Sequence, residues 1–152
     1  MLEIKQVNNN KQAKECDKLL TELFESGSTY DNNIKGLSEI KGYYKNLYKS
    51  DYNIIYLAYM DKLPVGYISG YIKIEAGEDY FNSVAKIDYL YVKKEYRKQG
   101  IATELLKNFY EWCREKNIKL VDIGVYKENK KAINLYKKEK FKLKSYEMRK
   151  HL

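Results

Sequence analysis

Arg97-Lys98-Gln99-Gly100-Ile101-Ala102 is the stretch on which the fold turns. It follows a run of strand formers, Ile87, Tyr89, Leu90, Tyr91 and Val92. It opens a helical pattern in which Ala102, Leu105, Leu106, Phe109, Trp112 and Cys113 recur three and four apart. A strand, a short basic loop and the start of a helix together make a seat for phosphates. The N–H groups of a first helical turn have no intrahelical acceptor, and the helix dipole adds partial positive charge there. Gly100 lets the backbone approach a ligand closely, and Arg97 and Lys98 bring full charges. The loop is not a Walker loop, because no Gly-Lys-Ser/Thr ends it, nor a dinucleotide fingerprint, because it holds a single glycine. Taken alone, the same residues also suit a solvated basic turn.

Outward from this stretch the chain alternates between two periods. Leu2 to Val7 alternates apolar and polar, a first strand. Asn8 to Asn10 turn and cap a helix whose face is Ala13, Cys16, Leu20, Leu23 and Phe24, ending near Gly27. A loop over Ser28 to Asn33 leads to a second helical pattern, Leu37, Ile40, Tyr44 and Leu47. Tyr52 to Met60 is a strand, Asp61-Lys62-Leu63-Pro64 a turn, and Val65 to Ile74 a hairpin partner in which Gly66 and Gly70 mark a bulge or close packing. Gly77 to Ser83 is a loop, Ala85 to Val92 the central strand, and Thr103 to Lys116 lies within the long helix. Lys119 to Tyr126 is another strand, Asn129 caps a short helix with Ala132, Leu135 and Tyr136 on one side, and Phe141 to Arg149 is final strand material.

The chain has 152 residues, most simply one domain over 1–152, with 29 Lys+Arg against 21 Asp+Glu and a net charge of +8. A basic balance fits nucleic acid, an anionic membrane or an anionic cofactor. The lysines are scattered over nearly every element, which favours a solvated surface for most of them, and no recognition-helix or base-stacking motif supports nucleic acid. Cys16 and Cys113 fall on apolar helix faces and read as buried thiols of a reduced compartment. Neither has a metal-ligand spacing, and the one histidine is His151. No metal and no histidine-based nucleophile is expected. With no signal peptide and no apolar run long enough to span a bilayer, a cytoplasmic location is the default.

Leu90 to Ala102 resembles the acyl-CoA signature of the GCN5-related N-acetyltransferases, an apolar strand and short linker before Arg/Gln-x-x-Gly-x-Gly/Ala at a helix start. Asn129 to Phe141 is similar to that family's Asn-x-x-Ala-x-x-Leu-Tyr-x-x-x-Gly-Phe. The resemblance implies an α/β fold with a mixed, mostly antiparallel sheet of six to seven strands flanked by about four helices. In that fold the strands equivalent to 85–92 and 119–126 splay apart to receive a pantetheine arm.

The resemblance also implies chemistry. Acetyl-CoA would be the acetyl donor. Arg97, Lys98, Gln99, Gly100, Ile101, Ala102 and Thr103 would seat its pyrophosphate, and the backbone of Leu90, Tyr91 and Val92 would pair with its pantetheine. Tyr136 maps to the general acid, since a phenol titrating near ~10 is protonated at neutral pH. Asn129 maps to a cofactor contact, although capping also explains it. Asp88, placed by alternation on the face of Leu90 and Val92, is the candidate base, or else a cation-binding or solvent-facing carboxylate. Glu75, Glu78 and Asp79 add local acidity that suits a cationic amine, such as an aminoglycoside or polyamine. Three departures from the family pattern stand out. Lys140 replaces a glycine that accepts a left-handed backbone, Ala102 replaces the commoner second glycine, and Gly124 stands where ribosomal-protein acetylating members carry a glutamate base. The expected partners are acetyl-CoA and an amine acceptor, with a homodimer compatible. The rivals are a protein N-terminal or lysine acetyltransferase and a non-catalytic acyl-CoA-binding regulator.

Overall fold

The computed structural model describes residues 1–27, 30, 31, 38–73 and 84–152. Leu37, most of the loop expected over 28–33, the loop over 77–83 and the acidic trio Glu75, Glu78 and Asp79 lie outside them. Five strands form one sheet whose spatial order follows the chain, β1 (Leu2–Gln6), β2 (Asn53–Met60), β3 (Leu63–Lys73), β4 (Val84–Val92) and β5 (Leu120–Ile123). The first four pair antiparallel and β4 pairs parallel to β5. The mixed, mostly antiparallel α/β class is therefore as expected, with five strands among the described residues instead of six to seven.

Helices cover both faces. α1 (Asn10–Gly27) is capped by Asn9, whose side chain accepts the Gln12 N–H at 3.0 Å. Its Ala13, Cys16, Leu19 and Leu20 pack with Val7, Ile55, Leu57, Tyr67 and Tyr91 on one side of the sheet. α2 (Ile101–Glu115) lies on the other side, with Leu105, Leu106, Phe109 and Trp112 against Ile54, Ala58, Ile68, Ala85, Ile87 and Val92. α3 (Lys130–Lys138) shares the face of α2, because Leu135 and Phe141 pack against the same core. The β2–β3 turn is tighter than expected. Asp61 and Lys62 both take positive φ (49° and 70°), the pattern of a two-residue hairpin turn, and Leu63 already belongs to β3.

Two expected elements do not form. The helix drawn through Ile40, Tyr44 and Leu47 is irregular in its described part, apart from a 3-10 turn at Leu47–Lys49. The N–H groups a helix would need are taken by side chains of α1. Thr21 Oγ1 accepts from Ile40, and the Asp17 carboxylate accepts from Gly42 and Tyr44. Gly42 at φ 76° also breaks the helical run. Phe141 to Arg149 is not a strand, since it pairs with no sheet edge and Leu143, Tyr146 and Met148 stay exposed. The strand expected over 119–126 is confined to Leu120–Ile123.

Candidate active site

β4 is longer than its parallel neighbour. The β4–β5 register runs Val84↔Leu120 to Ile87↔Ile123 and stops, while β4 continues to Val92. From Tyr89 onward β4 is paired, among the described residues, to β3 alone, so its other backbone edge opens into the gap beyond β5. Leu90 and Val92 turn their backbone groups to that edge, while Tyr91 between them, like Lys93, is bonded across to β3. The opening coincides with a bulge. Ser69 faces Tyr89 and Gly70 faces Ile87, which leaves Asp88 as the extra residue. This overturns the simple alternation that put Asp88 on the face of Leu90 and Val92. Ile87, Leu90 and Val92 pack on the α2 side. The Asp88 carboxylate instead accepts from the Tyr43 hydroxyl at 3.2 Å, among the rings of Tyr44 and Tyr89. Gly70 is what lets the Phe109 ring of α2 lie close on β3. A Cβ there would meet the Phe109 ring at 2.4 Å and the Lys86 carbonyl oxygen at 2.6 Å.

The loop from Arg97 to Gly100 leads directly from β4 into α2. Lys98 and Gly100 both have positive φ (61° and 79°), and a Cβ at Gly100 would meet open space. The first bond into α2 is Glu104 N–H to the Gly100 carbonyl, 3.0 Å. Extended Arg97 followed by left-handed Lys98 turns the Gln99 N–H back towards Tyr96, and among the described residues no backbone hydrogen bond is made by the N–H groups of Lys98, Gly100, Ile101, Ala102 and Thr103. Left- and right-handed residues in succession curve such groups into an anion cradle, and the helix dipole adds to it. The residues present therefore fit a diphosphate. Arg97 is partly spent on structure. Its Nε donates to the Val92 carbonyl at 2.8 Å, and its guanidinium lies 5.8 Å from the centre of the Tyr91 ring, fastening the loop to the end of β4.

On the same side of the sheet stands Tyr136, 9% exposed. Its ring lies 5.6 Å from that of Phe141. Burial pushes its phenol up to about 12. The hydroxyl has no hydrogen-bond partner among the described residues, where no fully buried polar side-chain atom is left unpaired, so the oxygen reaches accessible space. The Tyr136 ring is held by the end of α3. Phe141 N–H bonds the Tyr136 carbonyl at 2.9 Å and Lys140 N–H bonds that of Lys137 at 3.1 Å, a Schellman motif. Lys140 occupies its left-handed position at φ 70°, so the glycine geometry is kept without the glycine. Asn129 caps α3 by accepting the Ala132 N–H at 3.2 Å.

Burial raises the Asp88 carboxyl above its ordinary value, opposed by the Tyr43 hydrogen bond and by Lys86. The spacing of residues gave no sign of Tyr43. It lies 45 residues from Asp88 along the chain, in a segment with no regular structure.

Residues 17–141 match the Acetyltransferase (GNAT) family, and the chain belongs to that family. Among curated proteins, an uncharacterized N-acetyltransferase of Methanocaldococcus jannaschii is 31% identical over 100 residues, 63% of this chain and 42% of that protein. The thialysine N-epsilon-acetyltransferase of Sus scrofa is 39% identical over 51 residues, 34% of this chain and 30% of that protein. Both matches thus span less than half the length of the relative. Among solved structures, AAC(6')-Iy in complex with the bisubstrate analog CoA-S-monomethyl-acetylneamine superposes with a TM-score of 0.78 at 15% identity, covering 100% of this chain and 99% of that one. At that identity the likeness is one of fold.

Proposed function

We propose that this protein is an acetyl-CoA-dependent N-acetyltransferase that acetylates a primary amine of a small cationic molecule, by direct attack in a ternary complex. The observation that carries the reading is the run of unpaired N–H groups from Gly100 to Thr103, set beside the open edge of β4. The names of the relatives support the acceptor class. One acts on thialysine, and the structural neighbour holds an analog built on neamine, both amines.

In this reading the loop from Lys98 to Thr103 seats the pyrophosphate, with Arg97 bracing it, and the free edge of β4 at Leu90 and Val92, on either side of Tyr91, takes the pantetheine amides. Asn129 caps α3 through its Oδ1 and keeps its amide N–H groups for the cofactor contact. Acetyl-CoA supplies an activated thioester. The amine nitrogen forms the new C–N bond as the C–S bond breaks, and the Tyr136 hydroxyl gives its proton to the departing sulfur. A donor held near 12 stays protonated wherever the amine is nucleophilic. Asp88 takes the proton lost by the incoming ammonium, the second proton that the nitrogen sheds on acylation returns through solvent to the Tyr136 phenolate, and the Asp88 negative charge draws a cationic acceptor to the splay. The buried free thiols of Cys16 and Cys113 suit action in a reducing, cytoplasmic setting.

The test is to mix the protein with acetyl-CoA and a panel of neamine, thialysine, spermine and a lysine peptide, following free thiol and, by calorimetry, CoA binding. Thiol release with a small cationic amine is expected. No release with any amine overturns the enzyme reading. If CoA still binds, the protein is an acyl-CoA-binding regulator.

A further inference from the structure

Asp17 is an acid where the fold wants an apolar side chain. It is 4% exposed on the inner face of α1. Among the described residues it has no basic partner. Its Oδ2 accepts the Gly42 N–H at 2.8 Å and its Oδ1 accepts the Tyr44 N–H at 3.1 Å. The two peptide groups so held flank Tyr43. Such charge-assisted bonds are about twice as strong as neutral ones, which offsets the cost of burying the carboxylate. Tyr44 is pinned a second time. Its hydroxyl meets that of Tyr67 at 3.0 Å and the Ser69 Oγ at 2.9 Å, both on β3. Tyr43 is left with its backbone clamped to α1, its neighbour bolted into the sheet, and its ring edge-on to Tyr44 and Tyr89 at 4.9 and 6.4 Å between centroids. Its hydroxyl has one partner among the described residues, Asp88, which is the bulged residue at the mouth of the splay.

We propose that Asp17 and Tyr43 are positioning residues for the acceptor side of the cleft, with Asp17 fixing Tyr43 and Tyr43 holding the Asp88 carboxylate at the opening between β4 and β5. The proposal rests on the reading of Asp88 as the group that meets the amine. A bulged residue has no ladder partner to orient it, and the phenol supplies that orientation from across the cleft. The same bond favours the ionised carboxylate against the burial that disfavours it. The other groups that bear on Asp88 are Lys86 on its own strand and the phenols of Tyr44 and Tyr89. From α1, Glu22 is engaged by the Tyr91 hydroxyl and by Lys93.

The experiment is a carbon-detected NMR titration of the Asp88 carboxyl in the full chain without any ligand, with Asp88→Asn as the assignment control. Tyr43→Phe is expected to move the Asp88 midpoint upward. Asp17→Asn is expected to move it the same way, and adding Asp17→Asn to Tyr43→Phe should move it no further, since the two act in series. Asp17→Glu should restore part of the shift. Because Asp17→Asn acts on a buried group, the clamp is also read in the unaltered protein. The Gly42 and Tyr44 amides, in a segment without helix or strand, should be protected from deuterium exchange. An Asp88 midpoint unmoved by Tyr43→Phe, full additivity of the two substitutions, or unprotected amides at 42 and 44 would each overturn the proposal. Failure to acetylate any amine would count against the proposed function and leave this titration as it stands.

Discussion

Lys140 sits at φ 70°, a conformation that costs a residue with a Cβ about 1–2 kcal/mol and glycine almost nothing. Lys140→Gly should therefore stabilise the protein by about 0.5–1 kcal/mol, after the larger unfolded-state entropy of glycine is subtracted. In thermal melts that is a rise of about 2–3 °C for a chain of this size. The same cap holds Phe141 against Tyr136, so a firmer turn keeps the phenol in register. Tyr136→Phe removes only the donor. The expected result is a fall of about 10²–10⁴ in kcat with the acetyl-CoA dissociation constant nearly unchanged. A matching loss of cofactor affinity would make Tyr136 a packing residue. Arg97 to Thr103, Asn129 and Tyr136 could be proposed from the sequence because each belongs to a local motif whose neighbours in sequence are its neighbours in space. Asp88 was legible by position and not by direction. Alternation along a strand holds only while every residue has a partner, and one extra residue turned the side chain across the sheet. Tyr43 and Asp17 carried no signal, since their roles arise from contacts across 45 and 25 or more residues of chain.

At the scale of elements, β3 is shaped by what it lacks. Gly70 lies under the Phe109 ring beside the bulge, and a Cβ there would approach ring carbons to 2.4 Å and a backbone oxygen to 2.6 Å. Gly70→Ala should cost about 1–3 kcal/mol through overpacking, seen as a lower midpoint in urea with an unchanged slope. The two glycines of this strand were readable as close packing, and that is what they do. Gly66 would set its Cβ 2.7 Å from the Tyr91 carbonyl oxygen. The helix misread over Ile40, Tyr44 and Leu47 shows the limit of periodicity. An apolar repeat marks which side chains are buried, as Tyr44 is, but says nothing of where the N–H groups go, and here α1 takes them. The strand misread over Phe141 to Arg149 has the complementary cause. Its residues favour a pleated surface, and a strand also needs an edge to pair with.

At the scale of the molecule, burial at Asp88 sets how stability answers to pH. Asp88 holds its proton more tightly in the folded protein than in the unfolded chain. The stability this contributes is present in acid, below the ordinary carboxylate range, and is lost as pH rises through the raised value. Asp88→Asn should remove that loss. The variant should melt above the unaltered protein at pH 7.5, with the gap narrowing towards pH 4. Among the described residues sheet order is simply chain order, and helix α2 carries the parallel crossover from β4 to β5. β5 is therefore attached to the rest of the sheet through its short register with β4 and through helix packing, and the chain that bears Tyr136 follows it. A donor bound along the free edge of β4 would act as a strut between the two arms of a hinge. The Tyr136 phenol, proposed as the acid, would then ride on the arm that the donor itself steadies, so that loading the protein would also set its proton donor in place.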